Sequence, residues 1–221
     1  WLMVTENKQF MSSALNLSSK VYADLRLKLI TGELKPGETL SIRTLAEAYD
    51  HGSMPVREAL RQLSTDGALV GEAKKAYRVP DLSAKEAAKL FYVRAALEGA
   101  SAEIAAKTVR PKDINYLRQL SSKMDQAWNV INAEKFLKNN FLFHSYIYSM
   151  AKNSVLEKMA ENLYIRTGPW LAKGIQDNLS KPNAWEASHD GIIDALALGD
   201  SAEARRLIEA DSGWGKQLYK D

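Results

Sequence analysis

The sequence predicts a mainly α protein in two parts. A small head of three helices and a β-hairpin spans residues 18–80, and an all-α antiparallel helical bundle spans residues 81–221. Three observations predict this. Up to Pro80 the apolar runs are short and punctuated by glycine and proline, and two of them have the character of strands. From Asp81 onward the apolar spacing is helical throughout, with no strand signal. A hydrophobic content of 46% in 221 residues suffices to bury a core in each part.

Residues 1–17 are assigned to an N-terminal tail. The first helix is expected from Ser19 to Ile30, because Val21, Leu25, Leu29 and Ile30 share a face and Gly32 ends the pattern. "LKPGETL" follows as a turn, Pro36 fixing φ and Gly37 taking positive φ. Ser41 caps a second helix through Tyr49 that buries Ile42, Leu45 and Ala48 or Tyr49. After "DHG" a third helix runs from Ser53 to Thr65, with Pro55 in its first turn, where a missing N–H costs nothing. "ALVGE" and "AYRVP" then read as a two-stranded ribbon. Helix, helix, helix, hairpin is the plan of a winged helix-turn-helix.

The bundle opens with "SAKEAAKLFYVRAALEGASAEIAAK", which begins on a capping box, Ser83 and Glu86, and places Leu90, Leu97 and Ile104 on one stripe. Further helices are expected near 112–127, 131–151, 154–177, 182–198 and 201–219. Ser154 with Glu157, and Asp200 with Glu203, repeat the capping-box spacing.

Composition excludes several chemistries. With no cysteine in the chain, disulfides, thiolate metal sites and thiol catalysis are out. No window approaches the ~18 apolar residues of a membrane helix, and the N-terminus lacks a secretion signal. A cytoplasmic protein with no membrane partner is therefore expected. The formal net charge of +3 is too small for a broad basic surface, so any contact with nucleic acid must come from placed residues. A dimer doubles the phosphate contacts without raising the charge per chain.

"LRLKLITGELKPGETLSIRTLAEAY" followed by "MPVREALRQLSTDGAL" resembles the DNA-binding domain of the GntR family of bacterial transcription regulators. "VRAALEGASAEIAA", "FHSYIYSMAKN" and "SHDGIIDALALGDSAEARRLIEA" resemble the helical FCD ligand-binding domain of its FadR and VanR branches. The two patterns occur in the family's order and cover most of the chain. The resemblance implies that the third helix enters the major groove of double-stranded operator DNA and that the wing lies along the duplex. It places Arg57 at the arginine of the family's P-V-R-E-A-L stretch and Arg43 at the arginine early in the second helix. Elementary chemistry agrees, since a helix N-terminus favours phosphate and an arginine there can hold base acceptors bidentately. Arg61, one turn on, is assigned to a phosphate or a neighbouring acid. Two departures stand out. Where the family commonly has V-S-R-T, this chain has His51, Gly52, Ser53 and Met54, so Ser53 replaces an arginine and the operator should differ. Where the wing usually turns on glycine, the chain has Lys74 followed by Lys75, which add sequence-independent attraction to phosphate.

In the bundle, polar residues interrupt apolar stripes. Asn140 and His144 are four apart and share a face with Tyr148. His189 lies with Ile192, Ile193 and Leu196; Asp211 follows Ala204, Leu207 and Ile208; Arg94 sits between Leu90 and Leu97. Buried polar groups are costly unless paired, so their convergence suggests a site. By resemblance to FCD domains that bind a divalent metal through an aspartate and three histidines, the corresponding places are Asn140, His144, His189 and Asp211. Only the two histidines match. The set suits Zn, Ni or Mn with altered charge and softness, or else it forms a polar network that contacts an organic effector directly. Arg94 then suits a carboxylate on that effector, or forms an ion pair with Glu98 four residues on. Trp170, Trp185, Trp214, Phe143 and Tyr148 line such a site or pack in the core.

These features point to a ligand-responsive repressor that acts as a homodimer on a two-fold related operator and needs no catalysis. Two other readings fit the same sequence. One is a helical sensor or adaptor whose winged domain binds protein. The other is a metal-dependent hydrolase built on His144, His189 and Asp211, which lacks a convincing general base.

Overall fold

The computed structural model describes residues 2–50, 52–72, 76–178 and 189–214. Lys74, Lys75, Trp185, the start of the helix expected at 182 and the end of the one expected to reach 219 lie outside them. The chain divides into two compact units, one formed by residues up to Leu29 and from Leu34 to Asp81, the other by Ile30–Glu33 and the chain from Leu82 onward.

The first unit contains most of helix α1 (Leu2–Thr31), then β1 (Thr39–Ser41), α2 (Ile42–Ala48), α3 (Ser53–Thr65), β2 (Val70–Glu72) and β3 (Ala76–Arg78). α1 starts at Leu2, whereas the sequence pattern had assigned residues 1–17 to a tail. No glycine or proline occurs before Gly32, so nothing in the chain forces a break at Ser19. Gly32 adopts φ of 72° and stops the helix as expected, because only glycine takes that conformation without a Cβ penalty. Ser41 Oγ accepts from the Thr44 amide at 3.4 Å and caps α2. Of the side chains expected to be buried by α2, Ile42 is buried while Leu45 and Tyr49 are partly covered and Ala48 is exposed. The hairpin is a three-stranded antiparallel sheet in the order β1-β3-β2. Pattern reading missed β1, a three-residue strand too short to show alternation. Its Leu40 pairs with Tyr77, and both side chains join Val21, Leu25, Leu29, Val56, Leu60 and Leu63 in the buried core.

The second unit is all-α: α4 (Ala84–Ala105), α5 (Pro111–Asn129), α6 (Ala133–Met150), α7 (Ser154–Asn178), α8 (His189–Leu198) and α9 (Ser201–Trp214). Ser83 and Glu86 close the capping box at the start of α4. At α7 the cap shifts by one residue, since Asn153 Oδ1 accepts from the Val155 and Leu156 amides at 3.2 Å each; an amide oxygen reaches these donors as well as a hydroxyl does. At α9 Asp200 Oδ1 accepts from the Glu203 amide at 3.0 Å. α4 is the central helix, packed on α6, α7 and α9. Its buried face differs from the expected stripe. Leu90, Leu97 and Ile104 are only half-buried, and the fully covered face carries Phe91, Arg94, Ala95, Glu98, Ala102 and Ala105. Small residues on that face let α9 come close: a Cβ on Gly99 would meet the Glu209 side chain at 2.5 Å. No helix among the described residues is long and apolar enough to cross a membrane.

Candidate functional site

In the first unit α3 is two-faced. Pro55, Val56, Ala59, Leu60 and Leu63 are buried, while Ser53, Met54, Arg57 and Arg61 are exposed on the other side. Met54 on that side is 71% exposed. Arg43 is exposed on α2 with Nε 3.0 Å from Glu47 Oε1. Arg61 donates to Glu58 twice, Nη2 to Oε1 at 2.6 Å and Nε to Oε2 at 3.1 Å. Both helices are held from behind by α1: Tyr22 Oη donates to Asp66 Oδ2 at 2.9 Å, at the C-terminal end of α3, and Tyr49 Oη, at the C-terminal end of α2, donates to Asp24 of α1. The exposed arginine face is therefore presented on two helices whose ends are fixed.

In the second unit the predicted polar residues converge. Arg94 and Glu98 come from α4, Asn140, His144 and Tyr148 from α6, His189 from the start of α8 and Asp211 from α9, and all are buried. Glu98 is the hub. Its Oε1 accepts from Arg94 Nε at 2.6 Å and from Tyr148 Oη. Its Oε2 accepts from Ser212 Oγ and lies 2.9 Å from His144 Nδ1. Arg94 is thus an ion-pair partner of Glu98, the second of the two roles its sequence position allows. Its guanidinium also lies 3.9 Å from the centre of the Tyr164 ring, a desolvated cation–π contact. The other His144 nitrogen, Nε2, is 3.1 Å from Asp211 Oδ2. These two contacts attract by charge; both ring nitrogens, and Asp211 Oδ1 as well, are buried without a formed hydrogen bond.

Burial and neighbours split the two histidines. Burial disfavours charge on His144, but the Glu98 and Asp211 carboxylates outweigh it and raise its pKa to about 9. Burial dominates at His189 and, aided by the charge on His144, lowers its pKa to about 4 although Asp211 pulls the other way. Burial likewise opposes ionisation of Glu98, and Arg94 with His144 overcomes it, holding the carboxyl well below the usual carboxylate range. Asp211 is also lowered against its burial, by His189 and His144.

Three of the four expected ligands fit a metal. One donor atom each from His144, His189 and Asp211 lies within 4.8 Å of the others, and the unbonded Asp211 Oδ1 is 3.8 Å from His189 Nε2. Two imidazoles and one carboxylate with open positions suit a divalent transition ion. Asn140 stands beside this trio. Its Oδ1 accepts from Tyr164 Oη at 2.6 Å, and its Nδ2 donates to His189 Nε2 at 3.3 Å. Sequence reading missed Tyr164 and Ser212 and named Glu98 only as a partner of Arg94. The spacing of Arg94 and Glu98 by four, and the adjacency of Ser212 to Asp211, were available signals; Tyr164 carried none.

A helix-turn-helix head with arginines on its exposed face, in one chain with a helical unit that gathers buried ligand-type side chains, defines a DNA-binding regulator with a sensing domain. The chain belongs to the GntR family: residues 17–79 match "Bacterial regulatory proteins, gntR family" and residues 89–211 match "FCD domain". It is similar to the HTH-type transcriptional regulator McbR of Escherichia coli (strain K12), 33% identical over 71% of each chain. It is also similar to the HTH-type transcriptional repressor GlaR of the same organism, 33% identical over 85% of this chain and 88% of that one. Among solved structures it resembles E. coli McbR/YncC, with a TM-score of 0.77 and 27% identity, covering 89% of this chain and 93% of the other. The protein is a ligand-responsive DNA-binding transcription regulator, and its relatives are regulators rather than enzymes, which sets aside the hydrolase reading.

Proposed function

We propose that the protein is a cytoplasmic repressor of a metabolic operon, acting as a homodimer on two-fold related operator DNA and released or retained by a carboxylate-bearing effector. The head, residues 18–80, reads the operator through Arg43, Ser53, Met54, Arg57 and Arg61, with Lys74 and Lys75 adding phosphate attraction. The domain from residue 81 onward binds the effector and dimerises. The observation that carries the DNA assignment is the exposed face of α3, where Arg57 and Arg61 stand opposite the buried Val56, Leu60 and Leu63.

His144, His189 and Asp211 hold one divalent ion, Zn, Ni or Mn, which when bound supplies positive charge and open positions for an anionic effector. Arg94, tied to Glu98, fixes that carboxylate beneath His144 and so sets the ring's position. Tyr164 and Asn140 orient His189, and the buried Phe136, Phe143 and Ile147 on the same helix as His144 exclude water. Effector binding then favours one placement of the two heads, and operator affinity changes by the ratio of effector affinities for the two states.

The test is Arg57→Ala. Retention on the DNA upstream of the protein's own operon should fall by about tenfold or more, as loss of a bidentate base contact requires, while stability shifts by about 0.5 kcal/mol or less, as for other exposed side chains. Unchanged binding would transfer the head to a protein partner.

A further inference from the structure

Arg61 is held in a way that a phosphate contact does not need. Its Nε and Nη2 donate to the two oxygens of Glu58, at 3.1 and 2.6 Å, so the carboxylate grips the side edge of the guanidinium. This leaves the opposite edge, formed by Nη1 and the second Nη2 hydrogen, as a fork of two parallel N–H groups turned away from the carboxylate. The pair is in the open: the Arg61 side chain is 60% exposed and that of Glu58 44%. Arg61 follows Arg57 by one turn on the same face of α3. Phosphate rewards charge in almost any orientation, and a carboxylate beside that charge only weakens the attraction. Two acceptors in a base plane reward a fixed fork, and guanine offers O6 and N7 at that spacing.

We infer that Arg61 reads a guanine in each operator half-site and that Glu58 is the positioning residue that aims it. The inference rests on α3 being the DNA-reading helix. Glu58 then acts in two ways of opposite sign. It sharpens the specific contact by removing the conformational freedom Arg61 would otherwise lose on binding. It also discourages binding to arbitrary DNA, since bulk phosphate meets a neutralised arginine beside a negative charge.

The opposed signs make the test decisive. The full chain and its Arg61→Lys and Glu58→Gln variants are each used to select from a pool of random-sequence duplexes, and each is titrated against poly(dI-dC) over a range of salt. Far-ultraviolet dichroism and melting confirm that the variants fold. The wild-type motif should contain a G·C pair whose preference drops about tenfold in Arg61→Lys, the scale of one bidentate base contact, with the salt slope on poly(dI-dC) kept because lysine retains the charge. Glu58→Gln should lose part of that same preference while binding poly(dI-dC) severalfold more tightly. Arg61→Lys selecting the wild-type motif unaltered would overturn the base-reading role. Glu58→Gln keeping the full preference, or weakening the bulk affinity, would overturn the aiming role. If the wild-type chain selects no motif at all, the DNA assignment of α3 itself fails, and the inference with it.

Discussion

At the residue scale, Glu98 concentrates the chemistry of the second unit. One carboxylate accepts from Arg94, Tyr148 and Ser212 and stands 2.9 Å from His144. A buried charge of this kind is tolerable only when its lone pairs are satisfied, and removing one side of such a network leaves the other uncompensated. Glu98→Ala should therefore destabilise the protein by about 3–5 kcal/mol, because Arg94 and His144 stay behind in a dry site. Tyr148→Phe, which removes a single neutral donor, should cost only about 1 kcal/mol. Urea denaturation of the two variants checks this; equal losses would mean that the carboxylate is not the hub. The sequence showed most of these residues as polar breaks in apolar stripes. It did not rank them, because a polar residue on a buried face looks alike whether it is a hub or a rim.

At the element scale, helix starts were legible and helix faces less so. The starts are local: Ser83 with Glu86, Ser41 and Asp200 each satisfy amides within three residues, so spacing alone reveals them. The buried face of α4 is not local. Three large aliphatics seven apart, Leu90, Leu97 and Ile104, attracted the stripe, yet α9 packs on the neighbouring face of small and polar residues. A cap also makes a measurable prediction at α5. Asp113 accepts from the Arg110 amide at 2.9 Å, from Arg110 Nε at 3.0 Å and from Tyr146 Oη at 2.8 Å. Chiefly through Arg110, these bonds hold its pKa down to about 2. Because the folded value lies below the unfolded one, the contribution is fully present above about pH 4 and is lost as pH falls toward 2. With Arg110 largely exposed, the effect should be on the order of 1 kcal/mol. Asp113→Asn should lower stability by about that amount at pH 7 and flatten the stability profile between about pH 4 and 2, as urea denaturation at several pH values would show.

At the scale of the whole molecule, two sites in two units must answer one another. A net charge of +3 over the whole chain gives little general hold on bulk DNA, so discrimination falls to a few aimed side chains. The sensing side is testable by metal exchange. Protein stripped with a chelator and resupplied with Zn, Ni or Mn should melt several degrees higher, as a ligand bound only by the folded state requires. Asp211→Asn should abolish that rise. No rise with any of the three ions would leave the buried cluster as a direct effector contact.

The sequence by itself determined the order of elements, the two-part division of the chain, the winged head and the regulator family, and it put Arg57 on the exposed face of α3 and His144 and His189 in the buried polar cluster. These follow from periodicity, turn chemistry and motif spacing, which act over a few residues and survive without knowledge of the fold. Tertiary structure alone decided that Glu98 accepts from three partners beside His144, that Asn140 links Tyr164 to His189, that β1 joins the wing, and that Glu58 grips Arg61 by one edge. Each depends on which side chains from separate helices meet, or on which rotamer a long side chain holds. Spacing along the chain carries neither kind of information, because contact between helices is set by packing of whole faces.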